Sequence, residues 1–453
     1  MPPNGSPGGP ARPLCVFLHA ADQSAAQMVN VPAFTAQLDA RGWVGLSIEG
    51  RLLNVPFCDW NYLQTYIDSQ LAGALPGESD VLDAIEWIVN ATPIDPARIY
   101  LVGHSMGGGG VGAIGLKTPD RFAGVAMLSA VSDLHDFYAR SITVPCLVHV
   151  TGGPPGSDPI VDTRYKISSP RFLLENAYNL PVFYGHGLFD QLTYNLANTA
   201  EYQHGWHLAT DATWSGCHDG GLCFGHTPTH DELRTLHPDG YAWAYQFTDV
   251  HHTLDPRWLT GTPDTPTIVG TPDPLNASNL LGMFDFFASK SLVTTPDTVV
   301  YKTYEDEHES AYWVAIESTR PWDNAPAAIR ARRVLAQNKL ELELSRVANA
   351  TIDLDATQLS IGGRGALRVH VERWAEPAFD PALDDSAESL TTLFVLDGRV
   401  PSPSDLRVKR DGVLLPPALV QVTPTQVRIG PLALTTATDL EVFAKRPRPP
   451  HAQ

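Results

Sequence analysis

Two hydrophobic periods alternate along the first 190 residues. Short apolar runs are typical of strands buried in a parallel sheet, and apolar residues recurring every three or four positions are typical of amphipathic helices. The strand-like runs are 14–18, 44–48, 97–102, 122–128 and 181–184, and the helix-like segments are 32–41, 80–89, 107–112 and 170–179. Because the two kinds of segment alternate, the sequence predicts an α/β fold with a mostly parallel sheet flanked by helices.

The pattern lapses between about 191 and 280. This stretch is rich in His, Trp, Gly, Pro and Asp and has no steady period. A long irregular segment inside a compact domain is usually functional, so we expect a lid-like insertion. Its Trp206, Trp214 and Trp243 suit an apolar substrate surface, although packing of the insertion on the domain would explain them equally well. A helix near 281–290 and a strand at 298–302 then resume the sheet pattern.

The character of the chain changes again after about residue 316. Short segments alternate apolar and polar residues between turn residues, at 340–344, 367–371, 392–396, 406–408 and 440–443. That pattern favours a separate antiparallel β-sandwich. The predicted organisation is a flexible tail at 1–12, an α/β domain at 13–318 with the insertion at about 191–280, and a C-terminal β-rich domain at 319–453.

Composition excludes some classes of partner. The 453 residues include 31 Lys and Arg against 50 Asp and Glu, a formal charge of −19. Nucleic acids and anionic membranes require basic patches, so neither is an expected partner, and the acidity can serve solubility alone. No run of about 18 apolar residues suggests a membrane span. The first ten residues lack the apolar segment of a signal peptide, which leaves a cytoplasmic protein or a secreted one whose leader has been removed.

Residues 103–107, Gly-His-Ser-Met-Gly, stand between a predicted strand and a glycine-rich helix start. A G-x-S-x-G pentapeptide in this context is a nucleophile elbow, in which Ser105 occupies a strained turn above the sheet. The flanking positions are glycine because a Cβ there would collide with the adjoining strand and helix. The glycines do not indicate a nucleotide site, because no Gly-Lys-Ser/Thr follows them.

A serine hydroxyl needs a histidine base that is itself oriented by a carboxylate. In elbow-containing sheets the chain order is serine, acid, histidine. Asp190 follows the strand at 181–184 after two glycines and is the predicted acid, although an aspartate there could also cap the next helix. Asp133, after the preceding strand, is the second candidate.

His308 is the predicted base. It follows the strand at 298–302, which is where this arrangement needs a histidine. An exposed acidic loop is the other interpretation of its surroundings. His251 and His252 compete for the role, but they lie in the irregular insertion with no predicted strand before them.

An oxyanion hole completes the chemistry with two backbone N–H donors. The first should be Met106, immediately after the serine. The second should come from the loop that follows the first strand, at Ala20 or Ala21. Their side chains matter little, since the backbone donates.

These features together resemble the α/β-hydrolase superfamily. His19 ending an early strand, the Gly-His-Ser-Met-Gly-Gly elbow, the His-Gly-x-x-Asp run ending at Asp190 and a late histidine are most similar to its esterase, polyhydroxyalkanoate-depolymerase and prolyl-oligopeptidase-like group. The resemblance covers about 13–316 outside the insertion. One departure is His19-Ala20 where the oxyanion loop usually reads His-Gly, which leaves the second donor open between Ala20 and Ala21.

The resemblance implies a serine carboxylic-ester hydrolase that works through an acyl-enzyme and needs no cofactor. Its expected substrate is a small-molecule or polymeric ester, either an aryl ester such as a feruloyl conjugate or a polyester. A prolyl-oligopeptidase-type peptidase would share the same residues in the same order. A non-catalytic binding protein built on a hydrolase frame is the remaining alternative.

Residues 217–230 of the insertion contain Cys217 and Cys223 together with the histidines His218, His226 and His230, so two cysteines and two histidines lie close in sequence. Such residues can bind zinc tetrahedrally, but this spacing is not a standard one, and we expect no metal. A Cys217–Cys223 disulfide in an oxidising compartment, or no special chemistry at all, are the other interpretations.

Overall fold

The computed structural model describes residues 9–21, 23–50, 77–131, 134–140, 144–187, 243–248, 252–260, 282–321, 323–361, 365–374, 390–400, 403–434 and 437–444. The chain divides into two compact units, Met1–Val293 and Thr294–Gln453. The sequence placed the division later, at 318/319. The difference arises because the strand at 298–303 belongs to the second unit.

A six-stranded parallel sheet forms the centre of the N-terminal unit. Its strands are β1 (Arg12–Leu18), β2 (Val44–Ile48), β3 (Ile94–His104), β4 (Gly124–Leu128), β5 (Val182–Gly187) and β6 (Trp243–Thr248). They lie in the order β2-β1-β3-β4-β5-β6, and every neighbouring pair is parallel. The α/β fold class is therefore confirmed, and five of the six strands fall where the sequence predicts them.

Helices connect these strands, and two more follow the last strand. They are α1 (Ala25–Val29), α2 (Pro32–Arg41), α3 (Gly77–Ala91), α4 (Met106–Lys117), α5 (Leu134–Arg140), α6 (Val144–Thr151), α7 (Pro159–Ile167), α8 (Pro256–Thr260) and α9 (Met283–Ala288), with 3-10 turns at Pro119–Arg121 and Pro170–Asn179. Local sequence sets the ends of α2, because Pro32 fits the first helical turn and Gly42 adopts the left-handed conformation at the C-cap.

An aromatic cluster packs α9 against the sheet. The ring of Tyr100 on β3 stacks between Trp43 and Phe287, with centroid distances of 5.1 and 4.6 Å. The Tyr100 hydroxyl donates a hydrogen bond to the carbonyl of Lys290, 2.8 Å away. No helix within the described ranges is long and apolar enough to cross a bilayer.

Two mixed sheets form the C-terminal unit. Its strands are β7 (Thr298–Thr303), β8 (Ser310–Ala311), β9 (Val314–Ser318), β10 (Ala327–Val334), β11 (Lys339–Ser345), β12 (Val347–Asp353), β13 (Leu367–Arg373), β14 (Leu390–Asp397), β15 (Leu406–Arg410), β16 (Val413–Leu414), β17 (Val420–Val422), β18 (Gln426–Leu434) and β19 (Thr438–Ala444). A short helix, α10 (Leu354–Thr357), and 3-10 turns at Leu335–Gln337, Pro403–Asp405 and Pro417–Leu419 complete it. The sheet orders are β16-β15-β19-β13-β11-β10-β7 and β17-β18-β14-β12-β9-β8.

Alternation along these strands builds one hydrophobic cluster to which both sheets contribute. On β11, Leu340, Leu342 and Leu344 are buried while the residues between them are partly exposed. The expectation of purely antiparallel sheets is wrong for two pairs, β11–β13 and β12–β14, which are parallel. Successive strands β11 to β14 alternate between the two sheets. Because each crossing reverses the chain, a strand that returns to its first sheet runs parallel to the one it left.

Candidate active site

Ser105 occupies the turn between β3 and α4. Its backbone has φ 56° and ψ −117°, a left-handed conformation that a non-glycine residue adopts only when its surroundings enforce it. Two backbone hydrogen bonds do so here. The N–H of Ser105 donates to the carbonyl of Leu128 at 2.8 Å, and the N–H of Gly109 donates to the carbonyl of Ser105 at 3.0 Å. The strained turn has the geometry that the elbow motif predicts.

Close backbone approaches explain the two flanking glycines. A Cβ on Gly103 would lie 2.2 Å from the carbonyl oxygen of Gly107. A Cβ on Gly107 would lie 2.2 Å from the carbonyl oxygen of Leu18 and 2.6 Å from that of His19. Helix α4 therefore begins directly against the end of β1, and this contact brings the loop after β1 next to Met106.

His252 faces the serine. Its Nε2 lies 2.7 Å from the Oγ of Ser105, and its side chain is half-buried. The histidine follows β6, the last strand of the parallel sheet, four residues after that strand ends at Thr248. The sequence favoured His308 over His252 because strand β6 was not recognised. The signal was present in residues 243–248, Trp-Ala-Tyr-Gln-Phe-Thr, which alternate aromatic residues with smaller or polar ones.

A buried tryptophan anchors the segment that carries His252. Trp258 on α8 is fully buried, and its indole lies over Gly185 of β5, where an added Cβ would be 2.9 Å from the ring. The Asp255 carboxylate accepts a hydrogen bond from the Arg257 backbone N–H at 2.9 Å, at the start of the same helix. Packing on β5 therefore fixes the chain a few residues beyond the histidine.

His308 lies in the C-terminal unit. Its Nδ1 is 2.7 Å from the carboxylate of Glu305, which is almost fully buried, and its carbonyl accepts a hydrogen bond from the Tyr301 hydroxyl. The prediction of His308 as the base rested on the strand before it closing the parallel sheet. That premise is wrong, because β7 pairs antiparallel with β10 in the seven-stranded sheet. The imidazole at hydrogen-bonding distance from the hydroxyl of Ser105 is that of His252.

His19 holds the loop that carries the second predicted oxyanion donor. The N–H of Gly50 donates to Nε2 of His19 at 2.9 Å, and Nδ1 lies 2.8 Å from the carbonyl oxygen of Ala20. Because a backbone N–H only donates and a carbonyl only accepts, Nδ1 carries the proton and the ring is neutral. The C=O of Ala20 and the N–H of Ala21 share one planar trans peptide, so the bond from His19 also fixes the direction of the Ala21 N–H.

The remaining predicted site residues are only partly described. Met106 is buried at the first position of α4, Ala20 is 5% exposed, and Ala21 is half-buried. Trp243 pairs with Val182 through the backbone of β6. Outside the described residues lie Asp190, Asp133, His251, Trp206, Trp214, Cys217, Cys223, His226 and His230. Within the described part of the chain, no three His, Cys, Asp or Glu side chains are grouped so as to hold a metal ion.

Residues 77–200 match the model of the prolyl oligopeptidase family. The matched segment contains the elbow and its flanking elements. No curated protein sequence matches the chain. The family match, the parallel sheet and the strained elbow identify the N-terminal unit as a serine-hydrolase unit of the α/β-hydrolase type.

Several solved structures align with part of the chain. An S-formylglutathione hydrolase from Agrobacterium tumefaciens aligns at 16% identity and TM-score 0.36, covering 54% of this chain and 78% of that one. Fluorophosphonate-binding serine hydrolase F of Staphylococcus aureus aligns at 14% identity and TM-score 0.35, covering 55% and 80%. The acylaminoacyl peptidase of Pyrococcus horikoshii aligns at 18% identity and TM-score 0.36, covering 54% of this chain and 33% of that one. At these identities the alignments do not indicate a substrate class for this chain.

Proposed function

We propose that this protein, a serine hydrolase of the α/β-hydrolase superfamily, cleaves carboxylic esters with Ser105 as nucleophile and His252 as general base. The observation that carries the proposal is the 2.7 Å contact between Nε2 of His252 and Oγ of Ser105. A serine in a strained turn with an imidazole at hydrogen-bonding distance is the arrangement that activates a hydroxyl for attack on a carbonyl.

Each half of the reaction moves one proton through His252. In acylation, Ser105 Oγ bonds to the ester carbonyl carbon while His252 takes the hydroxyl proton. The C–O bond to the alcohol then breaks, and His252 returns that proton to the departing oxygen. In deacylation the oxygen of a water molecule bonds to the acyl carbon while His252 takes one of its protons. The bond between that carbon and Ser105 Oγ then breaks, His252 returns the proton to Oγ, and the carboxylic acid leaves.

The oxyanion formed in each half needs donors that are already in place. We assign the N–H of Met106 and that of Ala20 or Ala21 to this role. The loop after β1 can supply the second donor because it is held in place. His19 restrains the Ala20 carbonyl, and the absence of a side chain at Gly107 leaves room for the loop against α4. Backbone donors held in this way require no reorganisation when charge develops on the substrate oxygen.

Asp190 is the proposed carboxylate behind His252. Replacing it with asparagine should lower kcat by about 10⁴-fold with the protein still folded, because the imidazole then loses the partner that sets its tautomer. Steady-state kinetics with a p-nitrophenyl ester measures this loss. The matched variant is Asp133→Asn at the second candidate, which should retain most of the activity. The opposite pattern would move the acid to Asp133.

Cleavage of an ester requires less activation by the site than cleavage of a peptide bond. An ester is more electrophilic than an amide, and its alcohol departs with less assistance than an amine. The prolyl oligopeptidase family match is the observation that favours the peptidase alternative. Within the ester class, an aryl ester such as a feruloyl conjugate and a polyester are the two substrates we propose, with Trp206 and Trp214 in the apolar surface that receives them. Trp243 is not part of that surface, because it begins β6 beside Val182, at the amino end of the sheet, whereas Ser105 and His252 follow the carboxyl ends of their strands.

The test compares two leaving groups on one purified protein. We expect turnover of p-nitrophenyl acyl esters without cleavage of peptidyl p-nitroanilides, and covalent labelling by a fluorophosphonate probe that Ser105→Ala abolishes. Cleavage of the anilides at a comparable rate would establish the peptidase alternative. A wild-type protein that the probe does not label would instead support a non-catalytic binding protein.

A further inference from the structure

His104 has a side chain that the proposed reaction does not use. It ends β3 between Gly103 and the nucleophile, and it is only 4% exposed. Its ring centroid lies 5.2 Å from that of His252, with the ring planes inclined by 33°. These values are within the range of a packed pair of aromatic rings. The residue preceding the nucleophile therefore packs beside the residue proposed to activate it.

We infer that His104 is a positioning residue, whose ring holds the imidazole of His252 in the orientation that directs Nε2 at Ser105 Oγ. The inference rests on the proposed function, because positioning matters only if His252 is the base. His104 itself is rigidly held. It pairs with Leu128 in the parallel register of β3 and β4, and the next residue donates its N–H to the carbonyl of Leu128.

The ring contact between His104 and His252 restrains the orientation of the His252 imidazole. Helix α8 and the packing of Trp258 fix the chain several residues beyond His252, so they do not by themselves set the orientation of its ring. The side chain of a histidine has two rotatable bonds, and a reactive geometry tolerates deviations of roughly 10–20°. A flat ring beside the imidazole removes the rotations that would turn Nε2 away from the serine.

The restraint comes from the flat shape of the ring at position 104, which packs beside the imidazole of His252. Phenylalanine at position 104 should preserve this packing, whereas a flexible aliphatic side chain of similar volume should not.

The experiment compares His104→Phe with His104→Leu. Readouts are the second-order rate of fluorophosphonate labelling at Ser105, and kcat and KM for p-nitrophenyl acetate. We expect His104→Phe to stay within about threefold of wild type, and His104→Leu to lose roughly 10- to 100-fold in labelling rate and kcat while KM is unchanged. His104→Met makes the same comparison should His104→Leu not fold.

Tyr100→Phe is the matched control, because it lies on the same strand and face as His104 and loses one hydrogen bond to Lys290. It should lower the melting temperature but keep the labelling rate, which separates lost stability from lost positioning. A wild-type labelling rate in His104→Leu would overturn the inference, and so would equal losses in the Phe and Leu variants. A protein that labels at Ser105 but cleaves no ester refutes only the proposed substrate. A wild-type protein that fails to label refutes both proposals.

Discussion

The variant His252→Ala is expected to lose roughly 10⁴- to 10⁶-fold in kcat for an activated ester while it remains folded. Without the imidazole at 2.7 Å, nothing takes the proton of Ser105 as its oxygen attacks, and nothing returns a proton to the leaving alcohol. The loss should fall on kcat, because the base acts in the transition state and contributes little to substrate binding. Stopped-flow and steady-state kinetics, with circular dichroism to verify folding, measure the effect.

His308→Ala is the matched control. It removes the same side chain from the C-terminal unit, where the ring is bonded to Glu305. Loss of this hydrogen bond to the buried Glu305 should lower the stability of its own unit. It should leave kcat within a factor of about two, because the proposed reaction does not use His308. If His308→Ala abolishes turnover and His252→Ala does not, the base assigned from the geometry is the wrong one.

The elbow was predictable because its information is local. A strand, a strained turn and a glycine-rich helix follow one another within residues 97–117, and each requires residue types that the printed sequence shows directly. Gly103 and Gly107 are needed for close approaches that any such turn creates. The five leading strands were predictable for the same reason, because each is a short apolar run bounded by turn residues.

The sequence did not indicate His252, the proposed base, because that assignment depends on which strand closes the sheet. Strand β6 is six residues long, and aromatic residues within an irregular stretch are equally typical of a binding surface. Strand β7 has the apolar β-branched composition of a buried parallel strand, yet it pairs antiparallel with β10. Residue composition reports that a strand is buried, but not which sheet buries it. His308 was predicted because β7 was taken as the last strand of the parallel sheet. His252 ranked lower because β6, the strand before it, was not recognised.

Gly107→Ala should lower both stability and turnover, because it disturbs the contact between the elbow and the oxyanion loop. The new methyl group would lie 2.2 Å from the carbonyl oxygen of Leu18 and 2.6 Å from that of His19. Both neighbours are backbone atoms at the end of β1, so no side-chain rotation can relieve the overlap. Either β1 or the start of α4 must shift, which should cost about 3 kcal/mol in the free energy of unfolding. In a unit of this size that is a fall of roughly 5 °C in melting temperature.

The same shift should reach the chemistry. Moving the end of β1 displaces His19 and the peptide between Ala20 and Ala21, whose direction that histidine fixes. The expected result is a fall in kcat of roughly 10²- to 10³-fold, comparable to the loss of one oxyanion donor. Gly365→Ala is the control, because among the described residues no atom beyond its chain neighbours lies within 4 Å of its added Cβ, and it should change neither stability nor turnover. A Gly107→Ala protein with wild-type melting temperature and kcat would show that β1 and α4 are not in the close contact described. A variant that loses stability but keeps kcat would instead place the second oxyanion donor outside the loop after β1.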